Sequence, residues 1–254
     1  MKIFRTSKKH RPKVSYAPEG KRLYAIGDVH GCFEHLRGLL KLIKRDIAKH
    51  DKRENYIVFL GDLIDRGDQS SKVVKTVMKM CRKIENCYCL MGNHEEMFLK
   101  GYNGDLESLD SWLQYGGRET LISYGISQKS LANSEIDQIH LMMKKTIPAN
   151  HMKFLAECLD CIDFGDYFLV HAGIDPSSPF HEQERKSFLW MREPFLSYAG
   201  PLEKVVIHGH TVVPKAERIS NRIAVDTGAY KGGALSAVCL EEDQLRILEF
   251  VLPS

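Results

Sequence analysis

The sequence predicts an α/β fold in which two sheets, assembled from strand–helix–strand units, form a sandwich flanked by helices. Three observations predict it. Short apolar runs recur along the chain, and each stops abruptly at Gly, Asp, Asn or His. Amphipathic stretches of helical period fill the gaps between the first three runs. After a helix-rich middle, the last stretch returns to apolar runs. Continuous apolar runs bounded by breakers mark strands buried on both faces, and strands alternating with helices build a parallel sheet.

The chain opens on charge. Of its 254 residues, 36 are Lys or Arg and 33 Asp or Glu, a net charge of +3. Eight of the basic residues and one acid fall within residues 1–22, so the remainder is net −4. Residues 1–20 therefore read as a solvated basic arm, and residues 21–254 as a single domain. A composition 43% hydrophobic and 27% charged excludes the disordered and membrane-spanning classes. The arm shows no apolar core of a secretory signal and no RNA-binding signature. Neither a nucleic acid nor a membrane is an expected partner, and deleting residues 1–20 is expected to leave small-substrate turnover nearly unchanged.

The elements follow in order. Residues 23–26 form the first strand and break at Gly27-Asp28-Val29-His30-Gly31. Leu36, Leu39, Leu40, Ile43 and Ile47 then share one helical face. Residues 56–60 form the second strand, ending in Gly61-Asp62-Leu63-Ile64-Asp65-Arg66-Gly67. Val73, Val74, Val77, Cys81 and Ile84 mark the second helix. Residues 88–91 form the third strand and break at Gly92-Asn93-His94-Glu95.

Residues 101–160 read as a helical insertion packed beside the strand ends. It carries Trp112-Leu113-Gln114-Tyr115-Gly116-Gly117 and Leu121-Ile122-Ser123-Tyr124-Gly125. Strands at 167–170 and 205–207 end in His171-Ala172-Gly173 and His208-Gly209-His210-Thr211. Residues 222–225, 234–240 and 245–252 are expected to form the second sheet. The cysteines number seven, and no second CxxC follows Cys158-x-x-Cys161 at zinc-site spacing. That pair is read as core and the protein as cytoplasmic.

Ligands of parallel sheets gather at the carboxyl ends of the strands, and every polar cluster falls there. Together the clusters offer Asp28, His30, Asp62, Asn93, His171 and His210, oxygen and nitrogen donors enough for two metal ions. Imidazole mixed with carboxylate and amide suits manganese, iron or zinc rather than magnesium or calcium.

GDxHG, GDxxDRG, GNHE, HAG and GHT stand in this order between residues 27 and 211. With them the chain resembles the calcineurin-like metallophosphoesterases, in particular the bacterial and phage-type serine/threonine phosphoprotein phosphatase branch. The resemblance implies the two-sheet metallophosphoesterase sandwich and a centre of two divalent ions, manganese before iron or zinc. It implies that Asp28 and His30 hold one ion, that Asp62 bridges, and that Asn93, His171 and His210 complete the second. Two ions ~3.5–4 Å apart lower the pKa of a shared water and clamp phosphate oxygens for in-line attack. His94, next to ligand Asn93, is suited to protonating the leaving alkoxide as general acid. Asp65 resembles the family residue that orients it. Arg66, at the family position, and Arg192, in Trp190-Met191-Arg192, are the candidate phosphate clamp.

The expected activity is hydrolysis of phosphomonoesters, as a serine/threonine protein phosphatase, by a metal-bridging hydroxide with His94 as acid. The alternatives are symmetrical hydrolysis of diadenosine tetraphosphate or of another small phosphoester, and lastly a catalytically dead scaffold. Asp65 and the GNHE motif favour the phosphatase, because the dinucleotide-cleaving relative typically lacks that aspartate and has GNHD. The expected partner is a phosphorylated protein or a small phosphoester, and no feature points to an oligomeric state. His208 competes with His210 as ligand, and Tyr230 stands at the expected mouth of the site. Arg118 and the remaining histidines read as packing or surface residues.

Overall fold

In the computed structural model, which describes residues 15–252, β1 (Lys21–Ile26) runs through the middle of a five-stranded sheet. Leu23 and Ala25 face one apolar layer, Tyr24 and Ile26 another, and none of the four touches solvent. Two-sided burial explains the unbroken apolar run. From β1 the chain passes through α1 (Phe33–Lys49) to β2 (Glu54–Phe59), then through α2 (Ser70–Lys83) to β3 (Cys87–Cys89). The three strands are parallel, in the order β1-β2-β3. Leu36, Leu39 and Ile43 of α1 and Val73, Val74 and Val77 of α2 are buried in the helix-side layer. Each such side chain contributes about 1.5–3 kcal/mol. Ile84 caps α2 from outside the helix and is 39% exposed, so the predicted face is one residue too long.

The helical stretch begins earlier than predicted. α3 (Asn93–Tyr102) starts inside the GNHE cluster, because the Glu95 side chain accepts the Gly92 N–H, the half of a capping box that a glycine N-cap can make. There follow α4 (Leu106–Trp112), a π turn over Leu113–Gly117, and α5 (Arg118–Ser123). α6 (Gln128–Ala132), α7 (Ile136–Thr146) and α8 (Ala149–Ala156) complete the run.

The second sheet holds β4 (Cys161–Phe164), β5 (Tyr167–Val170), β6 (Val205–His208), β7 (Glu217–Ile219) and β8 (Arg222–Ala224). Its order is β4-β5-β6-β8-β7, with α9 (Arg185–Trp190) between β5 and β6 in the chain. β9 (Leu235–Glu241) and β10 (Gln244–Phe250) depart from expectation by joining the first sheet, β9 antiparallel to β1. Burial gives the reason. Leu235, Ala237 and Cys239 lie in the helix-side layer and Val238 and Leu240 between the sheets, so a strand buried on both faces takes the inner place. The half-exposed β10 takes the edge.

Leu23, Ala25, Val58 and Leu60 of the first sheet meet Leu169, Ile207 and Ile223 of the second. Phe168, Val170 and Val206 face Phe188 and Phe195 on the far side. The layers are thus helices, sheet, sheet, and α9 with its loops.

The Cys158–Cys161 pair packs against the apolar layers, Cys158 on the helix side and Cys161 on the far side of the second sheet, although the segment between them is open. Both cysteines are half-buried and free, Leu159 is 42% exposed, and Leu159 bridges Leu90 at the end of β3. Of the basic arm placed over residues 1–20, residues 1–14 lie outside the described residues. Ser15 and Ala17 are buried, and the Ala17 N–H donates to Glu242 O. No helix among the described residues is long and apolar enough to cross a membrane.

Candidate active site

The loops that follow β1, β2, β3, β5 and β6 converge on Asp62. Its Oδ2 lies 3.4 Å from His171 Nε2, 3.6 Å from His30 Nε2 and 3.9 Å from His94 Nε2. His30 Nδ1 donates to Ile64 O and His171 Nδ1 to Leu60 O, each at 2.8 Å. Both Nε2 atoms therefore present lone pairs toward the carboxylate. Asn93 Oδ1 stands 2.9 Å from His171 Nε2 and 2.9 Å from His210 Nδ1. Asp28 Oδ2 lies 3.9 Å from His30 Nε2, and its carboxylate accepts the His210 N–H at 3.1 Å.

The six residues named as ligands from the sequence are all buried and share this space. Two overlapping groups could hold metal ions: His30, Asp62 and His94, and Asp62, His171 and His210. His208 belongs to neither. Its ring packs edge-on against Phe195, 5.2 Å between centroids, and burial pushes its pKa down to about 4.

Backbone strain is concentrated here. Of the seven described non-glycine residues with positive φ, five are His30, Asp62, Asp65, Arg66 and His210. Such conformations cost about 1–3 kcal/mol each and persist only where the surroundings enforce them. Glu95 does so. Its Oε2 accepts from Asp62 N (2.8 Å) and Gly92 N (3.1 Å), and its Oε1 from Leu63 N (2.8 Å) and Ile64 N (3.2 Å). Gly92 is required by close approach, since a Cβ there would overlap Asp62 Oδ1.

The electrostatics fit added cations. Burial, then Asp226 and Asp62, hold the Asp28 carboxyl well above the usual range. Asp226, whose Oδ2 has no hydrogen-bond partner among the described residues, is pushed up to about 6 by burial and by Asp62. Burial works to raise Asp62 as well, but His171, His94, His30 and His210 around it hold it low. Burial keeps His30 down at about 3 and also depresses His171 and His210. Three buried carboxylates among neutral imidazoles form a donor set of the kind that suits two divalent ions.

Arg66 belongs to the His30 side. Its Nη1 lies 2.7 Å from His30 Nε2, its Nη2 3.0 Å from His94 Nε2, and its Cζ 4.4 Å over the Tyr230 ring. Tyr230 is thus at the site, edge-on to His30 at 5.0 Å. Arg192 belongs to the other side. It is exposed after α9, makes no side-chain hydrogen bond or ion pair among the described residues, and its charge helps depress His171 and His210. Beside it a cavity of about 460 Å³ opens between Trp190, Lys186, Asp175 and Glu184. Arg118 is tied elsewhere, to Leu131 O.

His94 Nδ1 is 2.6 Å from Asp65 Oδ2. Burial opposes protonation of this ring, but Asp62 and Asp65 outweigh it and push the pKa up to about 9. Asp65 also accepts from Trp112 Nε1 and Thr120 Oγ1, each at 2.7 Å. The sequence reading missed Glu95, Asp226, Trp112 and Thr120 as parts of the site. The Glu of GNHE was the available signal for the first.

Residues 21–234 match the family described as calcineurin-like phosphoesterase. The chain is 26% identical over 235 residues to the asymmetrical bis(5'-nucleosyl)-tetraphosphatase PrpE of Anoxybacillus flavithermus, covering 84% of this chain and 88% of that one. A crystal structure of a candidate diadenosine tetraphosphatase superposes with a TM-score of 0.63 at 20% identity, over 93% and 96% of the two chains. A protein serine/threonine phosphatase from Saccharomyces cerevisiae does so with a TM-score of 0.55 at 15% identity, over 93% and 82%. At these identities the superpositions speak for the fold alone.

Proposed function

The chain belongs to the calcineurin-like phosphoesterases, and from that membership we propose that it hydrolyses phosphomonoesters of serine and threonine with two divalent ions, manganese foremost. The observation that carries this reading is the 2.6 Å contact between His94 and Asp65. An imidazole held by a carboxylate is an acid for a leaving group that departs poorly, such as the alkoxide of a serine side chain.

Asp28 and His30 would hold one ion, Asn93, His171 and His210 the other, with Asp62 common to both. When bound, the ions supply Lewis acidity and an activated water. The chain's own groups do the rest. Arg192 has a guanidinium unpaired among the described residues, free for phosphate oxygens. Arg66 Nη1 donates to His30 Nε2, and its Nη2 stands 3.0 Å from His94 Nε2. His94 Nδ1 stays on Asp65, so the proton to be delivered sits on Nε2. A protonated Nε2 cannot also accept from Arg66, so loading the acid frees that arginine for the substrate.

A second reading, cleavage of a bis(5'-nucleosyl) tetraphosphate, is favoured by the relative from Anoxybacillus flavithermus, aligned over most of both chains. Its name specifies asymmetrical cleavage, while a relative from Methylococcus capsulatus, 27% identical over 192 residues, is named for the symmetrical cleavage expected above. There the leaving group is a phosphate, which departs without an acid. Manganese-supplemented protein offered a phosphopeptide, p-nitrophenyl phosphate and diadenosine tetraphosphate separates the two. Fast turnover of the last alone sinks the phosphatase reading, and turnover of none favours a scaffold.

A further inference from the structure

The motif Trp112-Leu113-Gln114-Tyr115-Gly116-Gly117 has no place in the chemistry described so far, yet it lies against it. Trp112, Gly116 and Thr120 stand four residues apart, and all three meet the loop after β2. Trp112 Nε1 donates to Asp65 Oδ2 at 2.7 Å. Gly116 O accepts the Arg66 N–H at 3.1 Å. Thr120 Oγ1 donates to Asp65 Oδ1 at 2.7 Å and accepts the Asp65 N–H at 2.8 Å. In a regular α-helix each four-residue step turns about 40° off the line. The break at Tyr115 and Gly116, the latter with φ 103°, interrupts that regular winding between Trp112 and Thr120.

The Asp65 carboxylate is thereby engaged at both oxygens. Oδ2 takes His94 and Trp112, Oδ1 takes Thr120, and Asp65, Trp112 and Thr120 are fully buried. Gly117 leaves room for the indole, since a Cβ there would overlap the Trp112 ring. A network so closed and dry fixes orientation more than an exposed pair does.

We infer that Trp112 and Thr120 are positioning residues for proton delivery to the leaving group: they hold the Asp65 carboxylate in the orientation that keeps His94 Nδ1 bound and His94 Nε2 facing Asp62. The inference rests on His94 being the general acid. As a water oxygen bonds to phosphorus and the P–O bond to the leaving group breaks, the departing oxygen takes the Nε2 proton, and Asp65 remains ionised. Without the Trp112 or Thr120 donor the carboxylate can turn, and His94 loses its aim. A misplacement of about 1 Å costs about 100-fold in rate.

The experiment uses the full chain loaded with manganese and phosphomonoesters whose leaving groups run from nitrophenol to an aliphatic alcohol. kcat and KM are measured for the wild type, His94→Ala, Trp112→Phe, Thr120→Val and Thr120→Ser. A working acid makes kcat nearly insensitive to the leaving group. His94→Ala is expected to make the dependence steep. Trp112→Phe and Thr120→Val are expected to lose about 10–100-fold in kcat on the aliphatic ester and little on the nitrophenyl ester, with KM unchanged. Thr120→Ser, which restores the hydroxyl, is expected to recover the loss.

Equal loss on every ester in both variants marks a merely structural role and overturns the inference, leaving the acid reading intact. His94→Ala with the wild-type dependence overturns the acid reading and the inference with it, as does a wild type that turns over none of the series. If Trp112→Phe does not fold, the threonine pair decides. A uniform loss in Thr120→Val, or no recovery in Thr120→Ser, then overturns the inference.

Discussion

Arg66 Nη1 donates to His30 Nε2 across 2.7 Å, occupying the lone pair that the metal-ligand reading assigns to an ion. A lone pair takes one partner at a time, so Arg66 and a divalent ion compete for His30. Arg66→Ala is expected to bind manganese at least as tightly as the wild type. Its KM for a phosphomonoester should rise about 10–100-fold, because a charged hydrogen bond contributes about 1.5–3 kcal/mol. Calorimetric titration with manganese and steady-state kinetics check the two halves, and weaker metal binding would show that no competition exists.

Asp65→Asn keeps the shape of a group that accepts three hydrogen bonds but removes its charge. The expected result is a kcat lower by about 10²–10⁴-fold on an alkyl phosphate, with both metals still bound. Elemental analysis supplies the check, since metal loss in this variant would remove Asp65 from its assigned role.

The contrast between Asp62 and Glu95 shows what the sequence makes legible. Asp62 follows an apolar run and precedes a glycine-bounded turn, a local pattern that places it at a strand end without knowledge of its partners. Glu95 acts on Asp62, Leu63 and Ile64, about thirty residues back, so its role exists only after the third strand has docked beside the second. Thr120 meets Asp65 across 55 residues in the same way. Strand membership fails for a like reason: nothing local to β9 says that it returns to β1. β4 and β7 are short edge strands, and edges carry the weakest apolar signal.

Glu95→Gln is expected to destabilise the fold by about 2–3 kcal/mol, because one side chain accepts four buried N–H groups and the amide turns a donor toward some of them. The same change loosens the strained Asp62 loop and should weaken manganese binding. Urea unfolding of the metal-free protein separates the two effects. An unaltered midpoint there would show that the loop holds itself.

Arg22 is fully buried and donates to Glu241 Oε2 at 2.6 Å, and Arg53 forms an ion pair with the other oxygen at 2.6 Å. Arg22 first, then Arg53 and Arg246, hold the Glu241 carboxyl below its usual value of 4.5. A depressed carboxyl stabilises the fold fully above the unfolded pKa, and that contribution is lost as pH falls through the folded one. Wild type should therefore lose stability below about pH 4.5 more steeply than Glu241→Gln, which starts lower at neutral pH. Parallel urea titrations from pH 7 to pH 3 give the comparison, and curves of equal slope would remove Glu241 from the acid response.

Truncation of the amino terminus is expected to give two outcomes, divided at residue 14. The Tyr16 N–H donates to Asp166 Oδ2 at 3.0 Å, and the Asp166 N–H donates to Tyr16 O at 3.1 Å. The Ala17 N–H donates to Glu242 O at 2.8 Å, and Tyr167 Oη donates to Ser15 O at 3.1 Å. Removing residues 1–14 takes away six Lys or Arg residues and none of these bonds. Removing residues 1–20 takes away all four, at about 1 kcal/mol each. The short truncation should keep turnover of p-nitrophenyl phosphate and the melting temperature. The long one should melt lower yet turn over normally while folded, because Glu242 lies beside the start of β1 and the site beyond its end. A large loss of turnover in the short truncation would bring the basic arm into the site, and equal melting of both would show that residues 15–20 add nothing to the fold.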